Sequence, residues 1–160
     1  MAAKSVPVAA KFGCLKKIYQ MREEIYTALV ARISEQVPEV QHIDLWNEQV
    51  AFVEDEMPYD RPAVFIQFMP ISWEPLIARP VARGEARIRL HVVTDWHPEA
   101  ADKFLSLRLC DKVARAVNGL SGDSFSALDM TTSATNHNHE ELVENIEEFS
   151  YRCTRSLSSL

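Results

Sequence analysis

The sequence predicts an α+β domain: a mainly antiparallel sheet of four to five strands packed by two helices, in the order α-β-β-β-α-β-β. Three observations carry that expectation. Two stretches, near 22–37 and 101–117, repeat apolar residues at helical spacing; the middle of the chain alternates apolar and polar residues; and the last third does so again in two segments joined by a turn-rich link. A chain of 160 residues is the size of one domain, able to bury roughly 70% of its unfolded surface.

The first helix is expected from about Arg22 to Val37, where Ile25, Leu29, Ile33 and Val37 recur every fourth position with Tyr26 and Val30 beside them. Glu23 and Glu24 suit its first turn and Pro38 ends it. The rhythm of Leu15 and Ile18 runs on across Met21, leaving its start open to either side of that residue. Residues 42–53 alternate weakly, with Ile43 and Leu45 on one side and a break at Asn47-Glu48-Gln49, and read as a short strand or irregular ribbon. An acidic loop with Glu54, Asp55, Glu56 and Pro58 follows.

Pro62 opens a strand in which Val64, Ile66 and Phe68 lie opposite Phe65, Gln67 and Met69, the nearly all-apolar content of a central strand. Pro70 turns the chain into a strand over Ile71–Glu74, and Pro75, unable to donate to a ladder, places it at an edge. A loop from Leu76 to Arg83 holds Arg79 and Pro80. After Gly84 comes the cleanest alternation: Ala86, Ile88, Leu90 and Val92 on one face, Glu85, Arg87, Arg89 and His91 on the other.

Asp95-Trp-His-Pro-Glu99 reads as a helix start, with Pro98 and Glu99 in the first turn. Ala101, Leu105, Leu109, Val113 and Val117 form the expected buried stripe, flanked by Phe104 and Ala114, and Asn118-Gly119 supplies the stop. Leu128, Met130, Thr132 and Ala134 then alternate with Asp129, Thr131, Ser133 and Thr135 as a half-exposed strand. Asn136–Glu140 forms a turn-rich connection, and Ile146–Arg155 closes a hairpin with Phe149, Tyr151 and Cys153 inward.

The net charge is −6, yet residues 1–20 hold Lys4, Lys11, Lys16 and Lys17 and no acid, so the remainder carries −10. The expected organisation is therefore a basic N-terminal extension over 1–20 and a single acidic domain over 21–160. An acidic body disfavours tight binding to a phosphate backbone. Three widely separated cysteines, Cys14, Cys110 and Cys153, write neither a disulfide framework nor a zinc ribbon and suit a reducing compartment. Cys110 and Cys153 sit among apolar residues and read as small core residues rather than nucleophiles. No apolar run has the length needed to cross a membrane, and no basic targeting segment with an apolar core is present.

His137-x-His139 beside Glu140 offers ligand types suited to zinc or iron, set against the simpler reading of a solvated hairpin loop. His42, His91 and His97 fall on separate elements, so no metal or other cofactor is expected. Arg87, Arg89 and His91 on one strand face suit an anionic ligand, a subunit-facing surface, or cross-strand pairing with Glu148 and Arg152. Trp46, Trp73 and Trp96 lie at strand ends, where an indole buries its ring and keeps its N–H bonded. No glycine-rich phosphate loop, Gly-x-Ser-x-Gly elbow or nucleophile–histidine pattern is found, so catalysis has no positive support.

Three local patterns carry a resemblance: Asp44-Leu-Trp-Asn-Glu-Gln49, Arg61-Pro-Ala-Val-Phe-Ile66, and Arg87-Ile-Arg-Leu-His-Val-Val93 running into the Pro98 helix. With the element order, they resemble the tail terminator (tail completion) proteins of long-tailed phages and prophages, over about residues 21–157. The resemblance implies a non-enzymatic virion subunit, assembled in the host bacterial cytoplasm and ending in the tail or neck. It implies a homo-oligomeric ring, six-fold, that caps the tail tube, halts its polymerisation and meets a head-neck connector protein while genome DNA passes without specific binding. Residues placed at such interfaces are Arg79, Arg83, Arg87, Arg89, Glu148 and Arg152. A head-closure or neck connector adaptor is the nearest alternative; a small metal-dependent hydrolase using His137, His139 and Glu140, or a ligand-binding domain, comes from other classes.

Overall fold

The computed structural model describes residues 21–48, 59–78, 80–96, 104–136 and 141–158. Helix α1 spans Met21–Gln36, and its stripe of Ile25, Leu29 and Ile33, continued by Val37, is at most 1% exposed. Glu24 in its first turn reaches across to the segment after the second helix, accepting hydrogen bonds from the Asp123 amide at 2.7 Å and from the Ser124 hydroxyl.

The strands are β1 (His42–Leu45), β2 (Ala63–Phe68), β3 (Ser72–Pro75), β4 (Val81–Asp95), β5 (Asp129–Asn136) and β6 (Leu142–Ser156), with helix α2 (Leu105–Val117) between β4 and β5. They form one sheet in the order β1-β2-β4-β6-β5, with β3 also on β4. The class is α+β as the sequence predicts, with six strands rather than four or five and one parallel pair, β1 with β2. The weakly alternating 42–53 stretch supplies that parallel strand over its first four residues.

The spine is β4 against β6, antiparallel through 15-residue strands paired from Val81–Ser156 to Asp95–Leu142. At ordinary strand rise this ladder is about 50 Å long. Both helices cover one face of it. Val64 and Ile66 of β2, Ile88, Leu90 and Val92 of β4, and Phe149, Tyr151 and Cys153 of β6 meet Leu29 and Ile33 of α1 and Val113 and Val117 of α2 in the main core.

Several local expectations change. The loop read as Leu76–Arg83 is a tight hairpin, because β4 begins at Val81 and pairs Ala82 and Arg83 with Pro75 and Glu74. At its tip Ala78 takes φ of 66° and Ile77 is 98% exposed. Leu105 and Phe104 are exposed rather than in the buried stripe, since α2 meets the sheet only from Leu109 onward. The start of that helix pattern, Pro98 to Ala101, lies outside the described residues. Strand β5 is exposed on both faces rather than one, being the last strand on its side. A bulge between Met130 and Thr132 also breaks the expected two-residue alternation. Asn118-Gly119 is the helix stop, with Gly119 at φ of 81°.

Gly84 has a packing reason. A Cβ there would stand 2.6 Å from Ile71 Cγ2 and 3.0 Å from the Trp73 ring, which lies across it from β3. Gly84→Ala is expected to cost about 1–3 kcal/mol by overpacking, read as a lower urea midpoint with an unchanged slope.

Candidate functional site

The face of the sheet turned away from the helices divides into two zones. In the upper zone Ala63, Phe65, Val93 and Leu142 form a second, smaller buried cluster under Trp46 and Tyr59. Trp46 follows β1 directly, its amide donating to Ile66 O at 2.9 Å, and its ring stacks on His91 with centroids 3.8 Å apart and planes at 4°. Beneath it, His91 Nδ1 lies 2.5 Å from Glu144 Oε1 and Nε2 lies 3.0 Å from Gln67 Oε1, with both His91 and Glu144 buried.

In the lower zone the cross-strand pair read from sequence is present. Arg89 Nε donates to Glu148 Oε2 at 2.7 Å, directly across the ladder, and Arg87 Nη1 donates to Oε1 at 3.2 Å. The Arg89 hydrogen bond is the main cause holding the Glu148 carboxyl below its ordinary range, against the opposing effect of burial. Glu85 stands across from Arg152, and Arg83 across from Thr154 and Glu74, all on exposed surface.

The helix-covered face holds a third carboxylate. Cys110 Sγ of α2 donates to Glu147 Oε1 at 3.0 Å, and Ser133 of β5 donates to Oε2. Burial, then Glu147, pushes the Cys110 thiol well above its usual range, and burial does the same to Cys153. Both thiols stay protonated and are packing groups, as their apolar neighbours in sequence suggest. Burial also pushes the Tyr151 hydroxyl up to about 12.

All three glutamates are tied to β5. Asn136 Nδ2 donates to Glu144 at 2.9 Å, Ser133 to Glu147, and Thr132 Oγ1 to Glu148 at 3.4 Å. Beside them Thr135 Oγ1 donates to Asn145 Oδ1 at 2.7 Å. A closing strand that starts at Ile146 leaves out Glu144; Val143 and Ile146, apolar residues flanking the polar pair Glu144-Asn145, are the available signal.

Cross-strand pairing, the simpler of the sequence readings for this face, holds for Arg87 and Arg89, while His91 does not join the open polar row: it is 4% exposed beneath Trp46 and occupied by Glu144 and Gln67. Arg87 and Arg89 remain at the surface with Glu148, and Arg83 and Arg152 continue the exposed row. Arg87, Arg152, Glu85 and Ser150 floor an open groove of about 850 Å³ between Met69-Pro70 and Asp129. Arg79, His97, His137, His139 and Glu140 lie outside the described residues. Among the described residues no group of three or more histidines, cysteines or carboxylates is placed to hold a metal ion. What the arrangement offers is a charge-patterned surface and an outer strand, β5, with no strand beyond it among the described residues; the buried glutamates of β6 tie neighbouring strands together.

His91→Ala leaves a buried carboxylate without its main partner and is expected to destabilise the protein by about 3–5 kcal/mol, measured by urea unfolding. The lowered Glu148 carboxyl contributes stability that is fully present above the unfolded carboxyl value and lost as pH falls through the lower folded one. In Glu148→Gln the loss of stability below the ordinary carboxylate value of 4.5 should be shallower than in the wild type, followed as urea midpoint against pH.

No described protein family matches this chain. No curated protein matches it either. Among solved structures, the chain is similar to one described as "Virion of native gene transfer agent (GTA) particle", at 13% sequence identity and a TM-score of 0.49, over 81% of this chain and 91% of that one.

Proposed function

We propose that this protein is a virion structural subunit of the tail-terminator type, closing into a six-membered ring on the end of a phage-like tail tube, stopping its growth and presenting a surface to a neck connector. The observation that carries this reading is the sheet itself: both outer strands, β1 and β5, lack a neighbour on their outer side among the described residues, while the buried Glu144, Glu147 and Glu148 of β6 are each bonded to β5 from within. A subunit that assembles by geometry needs such a rigid, unfinished surface and needs no reactive group. The element order implied by the family resemblance, one helix before the strands and one between β4 and β5, supports it further.

A ring requires a contact between two different faces of the subunit whose rotation closes. Arg79, Arg83, Arg87, Arg89, Glu148 and Arg152 are the proposed charged contacts, where alternating signs would set register between neighbours or toward the tube. The acidic body would let genome DNA slide through without adhering. Assembly would take place in the host bacterial cytoplasm, with the subunit ending in the tail or neck. Among the described residues no helix is long and apolar enough to cross a membrane.

The test is to mix the purified protein with its cognate tail-tube protein and read tube length and tube ends by electron microscopy with mass measurement. Rings capping tubes of limited length are the expected result. Tubes that grow without caps would overturn the terminator role, and binding to a portal-side protein instead would assign it to the neck adaptors.

A further inference from the structure

We infer that the ring joint is a β-sheet joint, in which β5 of one copy pairs antiparallel with β1 of the next; this deepens the ring reading above and rests on it. The first observation is the character of β5. Seven of its eight residues are exposed, and it carries neither lysine, arginine nor proline, the residues that ordinarily blunt an open edge. From Thr132 to Asn136 it has no charge at all. Yet it is firmly held from behind by buried Glu147 and Glu144. Such a strand is a fixed template, and among the described residues no strand lies on its outer side.

The second observation is the level of the two margins. Asp44 of β1 stands beside Phe65, Phe65 beside His91, His91 beside Ile146, and Ile146 beside Ala134 of β5. The adjacent row runs likewise from Leu45 through Ile66, Leu90 and Glu147 to Ser133. β1 and β5 therefore sit at the same height on opposite sides of one sheet.

The third is strand sense. β1 is parallel to β2, and each of the steps β2 to β4, β4 to β6 and β6 to β5 is antiparallel, so β1 and β5 run in opposite directions. A second copy brought alongside by rotation about an axis near the strand direction presents its β1 to β5 in antiparallel sense, at the right level. The remaining margin strand, β3, pairs lower on β4 at Ala82–Glu85 and ends in Pro75, which has no amide to donate. Level, sense and lack of opposing charge all fit a second copy of this chain. Pairing β5 with β5 would stop at two subunits, whereas β5 with β1 repeats until it closes.

The experiment uses the full chain with Cys14→Ser and three variants: Asp44→Cys, Ala134→Cys and the double variant, each treated with a short bis-maleimide while ring content is followed by native mass measurement, with and without tube protein. The double variant should yield a ladder of covalent multimers ending at the ring, and each single variant none. Rings without a ladder would overturn the β5–β1 joint and leave the ring reading standing. Dimers from Ala134→Cys alone would overturn it in favour of β5 meeting β5. Absence of rings under every condition removes both readings. As an independent arm, Ala134→Lys should lower ring formation by about tenfold or more with an unchanged melting temperature of the subunit; unaltered rings would overturn the joint.

Discussion

Everything in this fold hangs on one ladder, the antiparallel union of β4 and β6. β2 and β3 pair with β4 on its other side, β5 pairs with β6 on its other side, and β1 reaches the sheet only through β2. On the helix-covered face the ladder tapers: Ile88 faces Phe149, Ala86 faces Tyr151 and Gly84 faces Cys153, small residues increasingly opposing the closing strand toward the β3 end. That taper is where Trp73 crosses Gly84. The two long strands are separated in sequence by α2 and β5, so the decisive contacts are non-local and close a long loop before they are rewarded.

The second constraint is chemical. Strand β6 carries Glu144, Glu147 and Glu148, all buried, and each is answered by its own partner: His91 of β4, Cys110 of α2, and the Arg87–Arg89 pair of β4. Their remaining lone pairs are taken by Asn136, Ser133 and Thr132. Hydrogen bonds to charged acceptors are stronger than neutral ones, which accounts for a strand of small polar residues holding its place with almost no apolar burial. Polar adhesion holds β5 from its inner side while no strand lies beyond it among the described residues, and that is the physical basis for reading it as a joint.

Much of this was legible because the governing patterns are local. The four-residue rhythm of Ile25, Leu29 and Ile33, the alternation from Ala86 to Val92, and Asn118-Gly119 as a stop each depend on residues near in sequence, and each stands as read. The pairing of Arg89 with Glu148 was legible too, since two alternating strands present opposite charges on one face. What escaped depends on distant partners. Trp46 comes to His91 from a strand that is not its neighbour, turning a residue of a polar-looking face into a buried one. Glu144 and Glu147 look solvated until β4, α2 and β5 surround them. The bulge near Thr131 shifts register without a glycine or proline to announce it. The first turn of α2 is apolar enough to predict burial, but Leu105 and Phe104 lie beyond the sheet's reach.

The hydrogen bond from Cys110 to Glu147 carries a consequence for chemical ageing. Thiols are oxidised through their thiolates, and here a neighbouring carboxylate and a dry setting suppress that form at Cys110, while burial does so at Cys153. A core sulfur guarded in this way presents little thiolate to peroxide or to an attacking disulfide. At Cys110 and Cys153 the interior thus offers an oxidant a protonated thiol shut away from solvent, so the packing around them does not depend on a redox partner.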